Sequence, residues 1–247
     1  MIMVDSSRIS RLTRKEYGME LALTRKVFRI IDTEPFEASP SGHTAWLLTK
    51  VGNLSVVIFE SKQKAEFTAS CHQEEEFIYV LEGHLEYDDG RVAQAGEAVF
   101  NLPDIKHPGR YHGRLLCIRA FPEAGKSAPG KDLMCEVMRR EDVKTFYDVR
   151  VMSTRRLWVV TENFSVVMIE SQPGSAFQSL KHPEKEIVYL VQGHLEYEDG
   201  RVVRDGEAVV NLPDMPHSVS RKGTRPTISF EVKSPADPRI LDMLKER

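Results

Sequence analysis

One segment of the chain occurs twice, and this constrains the fold more than any other feature. The first copy, Glu76–His107, reads EFIYVLEGHLEYDDGRVAQAGEAVFNLPDIKH. The second copy, Glu186–His217, follows at an offset of 110 residues without a gap and reads EIVYLVQGHLEYEDGRVVRDGEAVVNLPDMPH. The match extends upstream, because Asn53–Ser61 (NLSVVIFES) aligns with Asn163–Ser171 (NFSVVMIES) at the same offset. The chain is therefore predicted to form two similar units in tandem.

Each copy is rich in strand and turn signals. SVVIF and SVVMI are β-branched runs, and FIYVL and IVYLV are continuous apolar runs of the kind that form buried strands. DDGR and EDGR are Asp-Gly hairpin turns, and Gly83 and Gly193 lie where one strand must turn sharply into the next. Short strands at this spacing predict an all-β fold, an antiparallel barrel or jelly roll that occurs twice.

The repeat also predicts domain boundaries. Residues 1–29 are predicted to form an N-terminal arm. The first barrel is predicted to span residues 30–121, and the second to span residues 140–232. Residues 122–139 carry the Pro, Gly, Ser and Lys content that is typical of a connector. The tail, residues 233–247, is predicted to form a short amphipathic helix, so short helices flank an otherwise β structure.

Composition argues against several classes of protein. The chain has 247 residues, 41% hydrophobic and 29% charged, which is typical of a globular protein. Its net charge of −3 predicts no nucleic-acid partner. No apolar stretch approaches the roughly 20 residues of a membrane span, so we expect no membrane association and no signal peptide. The three cysteines form no CxxC pattern, which predicts a cytoplasmic protein without disulfides.

Two histidines and a glutamate recur in both copies. They are His72, Glu76 and His107 in the first copy, and His182, Glu186 and His217 in the second. Two imidazoles and one carboxylate at fixed spacing are typical of a divalent metal site. Because each set lies on or beside predicted strands, the ligands would be held rigidly. We therefore predict a site in each unit for a divalent transition metal, with Fe, Mn, Ni, Co and Zn all suited to these ligands.

The same residues carry a resemblance to a known family. HQEEEFIYVLEG and HPEKEIVYLVQG resemble the first cupin motif, and GEAVFNLPDIKH and GEAVVNLPDMPH resemble the second. With two copies of each motif, the chain resembles a bicupin. The resemblance implies two tandem double-stranded β-helix barrels, the jelly-roll form of the cupin superfamily. It also implies that the two triads bind metal inside the barrel mouths.

The chain departs from the family pattern at the position of a fourth ligand. The family usually has a further histidine two residues before the first ligand, where this chain has Ser70 and Leu180. What remains in each unit is a set of two histidines and one carboxylate, with coordination positions open to water, substrate or dioxygen. Ser70 leaves room and polarity at the vacant position and Leu180 fills it with an apolar group, which slightly favours occupancy of the first barrel.

Three further residues of the first unit are candidate catalytic residues. Glu74 and its neighbour Glu75 are predicted to form a solvated turn, from which Glu74 could reach a metal-bound water. His112 is expected in a loop, and it could act as an acid or base if it lines the cavity. Arg119 could neutralise an anionic substrate. Elsewhere, His84 is predicted at an exposed or rim position.

These residues favour an enzyme that acts on a small organic molecule at a metal. An Fe(II)-dependent dioxygenase is the leading reading, because three ligands leave adjacent positions for substrate and oxygen. An isomerase, lyase or hydrolase that uses Mn, Zn or Ni as a Lewis acid is the alternative within that class. A barrel that binds a small ligand without turnover is the alternative of another class. A homodimer is expected from the family resemblance alone.

Overall fold

A computed structural model describes residues 26–38, 43–67, 72–122, 137–238 and 240. The described chain divides into two compact units. Unit 1 consists of the described residues of 33–142, and unit 2 of those of 26–32 together with those from 143 onward. Apart from strands, the described residues contain short 3₁₀ turns at Ile30–Asp32 and Val149–Val151. The all-β fold class predicted from the sequence is confirmed.

Unit 1 is one antiparallel sheet of eight strands. They lie in the order β2-β3-β4-β8-β5-β7-β9, and β6 pairs with β5. The strands are β2 (Glu37–Ala38), β3 (His43–Val51), β4 (Leu54–Phe67), β5 (Glu75–Tyr87), β6 (Val92–Gln94), β7 (Ala98–Asn101), β8 (Gly109–Ala120) and β9 (Val137–Met138).

Unit 2 divides its strands between two antiparallel sheets. The larger has the order β1-β17-β14-β19-β12-β11-β10, and the smaller β13-β18-β15-β16. The strands are β1 (Val27–Phe28), β10 (Lys144–Asp148), β11 (Ser153–Val160), β12 (Ser165–Ser171), β13 (Ala176–Leu180), β14 (Lys185–Gln192), β15 (His194–Tyr197), β16 (Val202–Arg204), β17 (Ala208–Asn211), β18 (His217–Arg221) and β19 (Thr227–Ser234).

The two units place equivalent residues in the same register. In unit 1 Glu76 on β5 lies opposite Asn101 on β7, and in unit 2 Glu186 on β14 lies opposite Asn211 on β17. The long strands β4, β5 and β8 of unit 1 correspond to the pairs β12/β13, β14/β15 and β18/β19 of unit 2. Unit 1 keeps these strands continuous by bending them at register shifts, one of which falls just before Gly83. A bulge of this kind bends a strand without ending it.

Each unit has its own apolar core. In unit 1 the inward residues of the central strands pack together, with Val57, Ile78, Val80, Leu85 and Leu115 among them. In unit 2 the equivalent face carries Val167, Ile169, Val188, Leu190 and Leu195. Because side chains alternate across a strand, the same alternation directs every second residue of β5 and β14 to the interior. Glu76 and Glu186 share that parity with Ile78 and Val188, so both carboxylates point inward.

Two short strands lie outside the predicted barrel boundaries. Val27–Phe28, within the predicted N-terminal arm, pairs with β17 and belongs to unit 2. Val137–Met138, within the predicted connector, pairs with β7 and belongs to unit 1. Strands of two residues carry too few side chains to show a periodic pattern, and their partners are distant in sequence. The predicted C-terminal helix lies largely outside the described residues, although Pro238 and Ile240 are helical. Nowhere in the described part of the chain is a helix long and apolar enough to cross a bilayer.

Candidate metal centres

Unit 1 brings His72, Glu76 and His107 together through three different segments. Glu76 lies at the start of β5, and His72 precedes that strand by a short turn. His107 follows the NLPD turn between β7 and β8. In that turn Asp104 has a positive φ of 59°, and its backbone N–H donates to the carbonyl of His72 at 2.8 Å. The turn is thereby tied to the residue that carries the first imidazole, so the two histidines approach each other.

The three side chains form a nearly equilateral triangle of ligand atoms. Nε2 of His72 lies 3.2 Å from Nε2 of His107, and each of these atoms lies 3.3 Å from Oε2 of Glu76. All three residues are at most 4% exposed. Ligands bound to one divalent ion at about 2.1 Å with bond angles near 100° would be separated by about 3.2 Å. The triangle has the size that a shared metal ion requires.

Hydrogen bonds set the tautomer of both imidazoles. Nδ1 of His72 lies 2.9 Å from the carbonyl oxygen of Glu74, and Nδ1 of His107 lies 2.8 Å from that of Ile105. A carbonyl oxygen can only accept, so Nδ1 carries the proton and Nε2 of each neutral ring presents a lone pair. Two lone pairs and a carboxylate oxygen therefore point at one another in a buried space. This donor set fits a divalent cation, and backbone acceptors behind metal-binding histidines are a recurrent feature of such sites.

Unit 2 repeats the arrangement with looser distances. Nε2 of His182 lies 3.5 Å from Oε1 of Glu186, and Nε2 of His217 lies 3.4 Å from Oε2. Nε2 of His182 is buried without a hydrogen-bond partner among the described residues. Nδ1 of His182 again faces the carbonyl of Glu184 at 3.0 Å, and Nδ1 of His217 faces that of Met215 at 3.1 Å. The two histidines thus face different carboxylate oxygens, which suits a bidentate Glu186.

Two asparagines orient the carboxylates, and sequence reasoning did not single them out. Asn101 is fully buried and donates from Nδ2 to Oε2 of Glu76 at 2.9 Å, while the hydroxyl of Tyr87 donates to its Oδ1 at 3.2 Å. In unit 2 Asn211 donates to Oε2 of Glu186 at 2.6 Å. The signal was present in the sequence, because NLPD and HLEY are identical in both copies.

Arg119 lies in the first centre, where it pairs with Glu76. It is directly opposite Glu76 in the β5–β8 register, and its Nη2 and Nε lie 2.5 and 2.7 Å from Oε1. The thiol of Cys117 donates to the same oxygen at 3.1 Å. Burial alone would raise the pKa of Glu76, but the positive charge of Arg119 holds that pKa well below its usual value. Oε1 is thus engaged by Arg119 and Cys117, and Oε2 faces the histidines.

The second centre has a lysine where the first has an arginine. Lys233 lies opposite Glu186 on β19, with Nζ at 3.7 Å from Oε1 of Glu186 and 3.2 Å from Oδ2 of Asp237. Burial would raise the pKa of Glu186, but its contacts with His182 and His217 and the charge of Lys233 hold that pKa well below its usual value. Because Asp237 shares the lysine, the second carboxylate is less fully neutralised than the first.

The predicted solvated turn at Glu74 and Glu75 was wrong, because both side chains are completely buried. The carboxylate of Glu74 lies 3.6 Å from Nδ1 of His72, on the side of the ring opposite to the triad. Glu184 occupies the same position in unit 2, with its carboxylate 3.3 Å from Nδ1 of His182. Both acids stand behind a histidine ring, where they favour a proton on Nδ1.

His112 does not join the first centre. It lies within β8 rather than in a loop, its side chain is exposed, and it is directly opposite the half-buried His84, with the rings stacked at 6.1 Å. Arg119 on the same strand is opposite Glu76, and seven residues of strand span about 23 Å. Of the three candidate catalytic residues, Arg119 and Glu74 therefore contact the triad and His112 does not. Ser70 lies outside the described residues, whereas Leu180 packs against the core of unit 2.

Comparison with known proteins agrees with this fold. Residues 24–119 match the family described as the ChrR cupin-like domain. No curated protein matches the chain. Among solved structures, oxalate decarboxylase from Lactobacillus farciminis, as a formate complex, has a TM-score of 0.65 at 16% identity, covering 85% of this chain and 86% of that one.

Two further solved structures have the same extent of similarity. A protein from Pseudomonas aeruginosa described as glyoxylate-induced has a TM-score of 0.67 at 17% identity, covering 80% of this chain and 83% of that one. Oxalate decarboxylase from Bacillus subtilis, studied for its Mn(II) centres, has a TM-score of 0.63 at 15% identity, covering 84% of this chain and 76% of that one. At these identities the likeness establishes the cupin-like jelly-roll fold and no more.

Proposed function

We propose that this chain is a bicupin, a metal-dependent enzyme with one cupin barrel in each unit that acts on a small organic molecule. The sequence repeat, the two compact units and the matching registers of Glu76 and Glu186 support two equivalent barrels. His72, Glu76 and His107 are the proposed ligands of the first barrel. His182, Glu186 and His217 are the proposed ligands of the second.

The observation that carries this proposal is the approach of two histidine lone pairs. With Nδ1 of His72 and His107 directed at carbonyl oxygens, two unprotonated Nε2 atoms face each other at 3.2 Å beside a carboxylate. Such an arrangement is repulsive unless a cation lies between the atoms. A divalent metal held this way supplies Lewis-acid or redox chemistry at its open positions.

The residues around the triad have defined tasks in this proposal. Arg119 keeps the Glu76 carboxylate ionised and holds one of its oxygens, which leaves the other for the metal. Asn101 orients that second oxygen. The burial of the triad keeps the carboxylate out of bulk water and strengthens each electrostatic contact.

Within this class we favour an Fe(II)-dependent dioxygenase-type oxidoreductase. Two histidines and one carboxylate leave adjacent positions for an organic substrate and for oxygen. A lyase, isomerase or hydrolase with Mn, Zn or Ni is the second candidate, and the fold likeness to oxalate decarboxylases across most of the chain favours it. A barrel that binds a small ligand without turnover is the alternative from outside the enzymes.

One experiment separates these readings. The full chain is stripped with a chelator, reloaded with Fe(II) or Mn(II), and incubated with oxalate, glyoxylate and malonate. Oxygen uptake is followed with an electrode, and substrate loss by chromatography. Oxygen uptake in step with substrate loss supports the dioxygenase, whereas substrate loss without net oxygen uptake supports the lyase. Stoichiometric metal binding without loss of any substrate would leave the ligand-binding reading. A protein that takes up neither metal would refute the metal-dependent proposal itself.

A further inference from the structure

A cavity of about 470 Å³ lies in unit 2 and reaches the neighbourhood of the second triad. Its wall includes Arg155 on β11, Ser165 on β12, and Glu231 and Lys233 on β19. Lys233 is the residue whose Nζ lies 3.7 Å from Oε1 of Glu186. A molecule in this cavity is therefore separated from a proposed metal ligand by a single side chain.

Two arginines contact one aromatic ring in the interior of unit 2, and one of them, Arg155, lines this cavity. The guanidinium of Arg221 lies 3.9 Å from the centre of the Phe177 ring, and that of Arg155 lies 5.5 Å from the same ring. Arg221 is only 2% exposed. Among the described residues, Nε and Nη1 of Arg221 and Nε of Arg155 are buried without a hydrogen-bond partner. Two cations thus share one aromatic ring while several of their donors remain unsatisfied.

A buried hydroxyl on the same cavity is also unsatisfied. Ser165 is 1% exposed, its Oγ has no hydrogen-bond partner among the described residues, and it lines the cavity together with Arg155. Buried polar groups almost always have partners, because an unpaired one costs about 1–3 kcal/mol. Arg155 and Ser165 thus bring donors without acceptors to one cavity, which indicates that the missing acceptor comes from a bound molecule.

Electrostatics point to an anion as that molecule. Burial lowers the pKa of Arg221 to about 10, and the nearby positive charge of Arg155 also lowers it, against the opposing effect of Glu231. The guanidinium nevertheless stays charged at neutral pH. Glu231 lines the cavity and offsets part of this positive charge. A carboxylate or phosphate between the arginines would accept their free N–H groups in the forked geometry that guanidinium groups favour.

Unit 1 lacks this feature at the equivalent positions. Arg155 pairs with Ile169 on β12, whereas its counterpart Ala45 pairs with Phe59 on β4. Arg221 lies opposite Leu195 on β15, whereas its counterpart Tyr111 lies opposite Leu85 on β5. Both counterparts are fully buried members of the apolar core of unit 1. The pair of interior arginines at these positions is therefore specific to unit 2.

We propose that the interior of unit 2 binds the oxyanion group, a carboxylate or a phosphate, of a small organic molecule through Arg155, Arg221 and Ser165. This anion site deepens the proposed function. It rests on that function only where the bound anion is taken to be the substrate of the second metal centre. Unit 2 would then select substrates by charge, while the packed interior of unit 1 leaves no comparable anion site.

The test measures anion binding to the full chain after chelation of metals. Malonate and inorganic phosphate serve as anionic probes and malonamide as a neutral probe, each titrated by calorimetry. Arg155→Met and Arg221→Met remove the charges while keeping most of the side-chain volume. Arg156→Met is the matched control, because Arg156 is the next residue on β11, points to the opposite face and pairs with Glu170 at 2.6 Å.

The expected result is binding of at least one anion and not of malonamide. Each of Arg155→Met and Arg221→Met should weaken it at least tenfold, and Arg156→Met should change it less than twofold. The tighter of the two anionic probes identifies the source of the oxyanion. The ligand-free Arg221→Met protein should melt no lower than the wild type, because a buried charge with unsatisfied donors is removed. Arg155 is only half-buried, so Arg155→Met keeps the test open if Arg221→Met fails to fold.

Equal affinity in the wild type and Arg155→Met, equal binding of malonamide, or no anion binding at all would overturn the proposal. Failure of the metal proposal gives a different result. In that case Arg155-dependent anion binding persists in a protein that takes up no metal. Conversely, a protein that takes up metal but binds no anion keeps the metal centres and loses this inference.

Discussion

The Nε2 atoms of His72 and His107 lie 3.2 Å apart inside unit 1, each with its Nδ1 directed at a backbone carbonyl. Since both Nε2 atoms present lone pairs, the contact needs a positive charge between them. Glu76 offers its Oε2 at 3.3 Å from both. A metal ion would satisfy all three groups at once.

Removal of one histidine from a triad should remove the metal of that unit alone. His107→Ala should weaken metal binding in unit 1 by at least about 100-fold, and His217→Ala should do the same in unit 2. The measurement is metal content by mass spectrometry after dialysis. The double variant His84→Ala/His112→Ala is the control, because these two rings stack on each other outside the triad. Unchanged metal content in both triad variants would contradict the assignment.

The asparagines beside the carboxylates should tune affinity without being ligands. Asn101→Leu leaves Oε2 of Glu76 without its 2.9 Å hydrogen bond. We expect about 10- to 100-fold weaker metal binding in unit 1, the range seen when groups that orient a ligand are lost. Asn211→Leu should produce the same loss in unit 2 only, as measured by competition with a chelator of known affinity. A loss that appears in both units from either substitution would indicate general destabilisation instead.

The bend of β5 should tolerate no side chain at Gly83. This residue has φ of 77°, and a Cβ would lie 2.0 Å from the carbonyl oxygen of His112. Gly83→Ala should therefore lower the free energy of unfolding by about 3 kcal/mol or more. Gly90→Ala is the matched control, because Gly90 has φ of 91° and nothing within 4 Å of the added carbon. We expect it to cost only about 1 kcal/mol in a denaturant titration. Equal losses of unfolding free energy in the two variants would mean that the positive φ, and not the contact with His112, sets the cost.

His43 should make unit 1 less stable in mild acid. Burial lowers the pKa of His43 to about 4 from 6.5, so the unfolded chain takes up a proton first as the pH falls. The stability present above pH 6.5 is lost progressively between pH 6.5 and 4. His43→Gln removes this titration. The difference in unfolding free energy between the wild type and this variant should therefore become smaller as the pH falls from 6.5 to 4. His112→Gln, at an exposed histidine, should follow the wild-type pH profile. A constant difference between the wild type and His43→Gln across this interval would contradict the pKa.

Much of the fold and of the candidate site could be predicted from local sequence patterns. Alternation, Asp-Gly turns and the offset of 110 residues depend on neighbours in sequence, and they led to the all-β prediction. The approach of His72 to Glu76 was also predictable, because the two residues are separated by one short turn and recur as His182 and Glu186. Burial of Glu74 was not predictable, since a run of three acidic residues has the composition of a solvated turn.

By itself, then, the sequence determined which segments form strands, where the turns lie and which residue types make up both triads. These features follow from short-range geometry. Only the tertiary structure decided that Arg119 binds Glu76 and that Arg155 and Arg221 meet at Phe177. Such contacts depend on register between strands that are distant in sequence, and a shift by one residue reverses the face of every side chain. The charged interior of unit 2 is a product of that register.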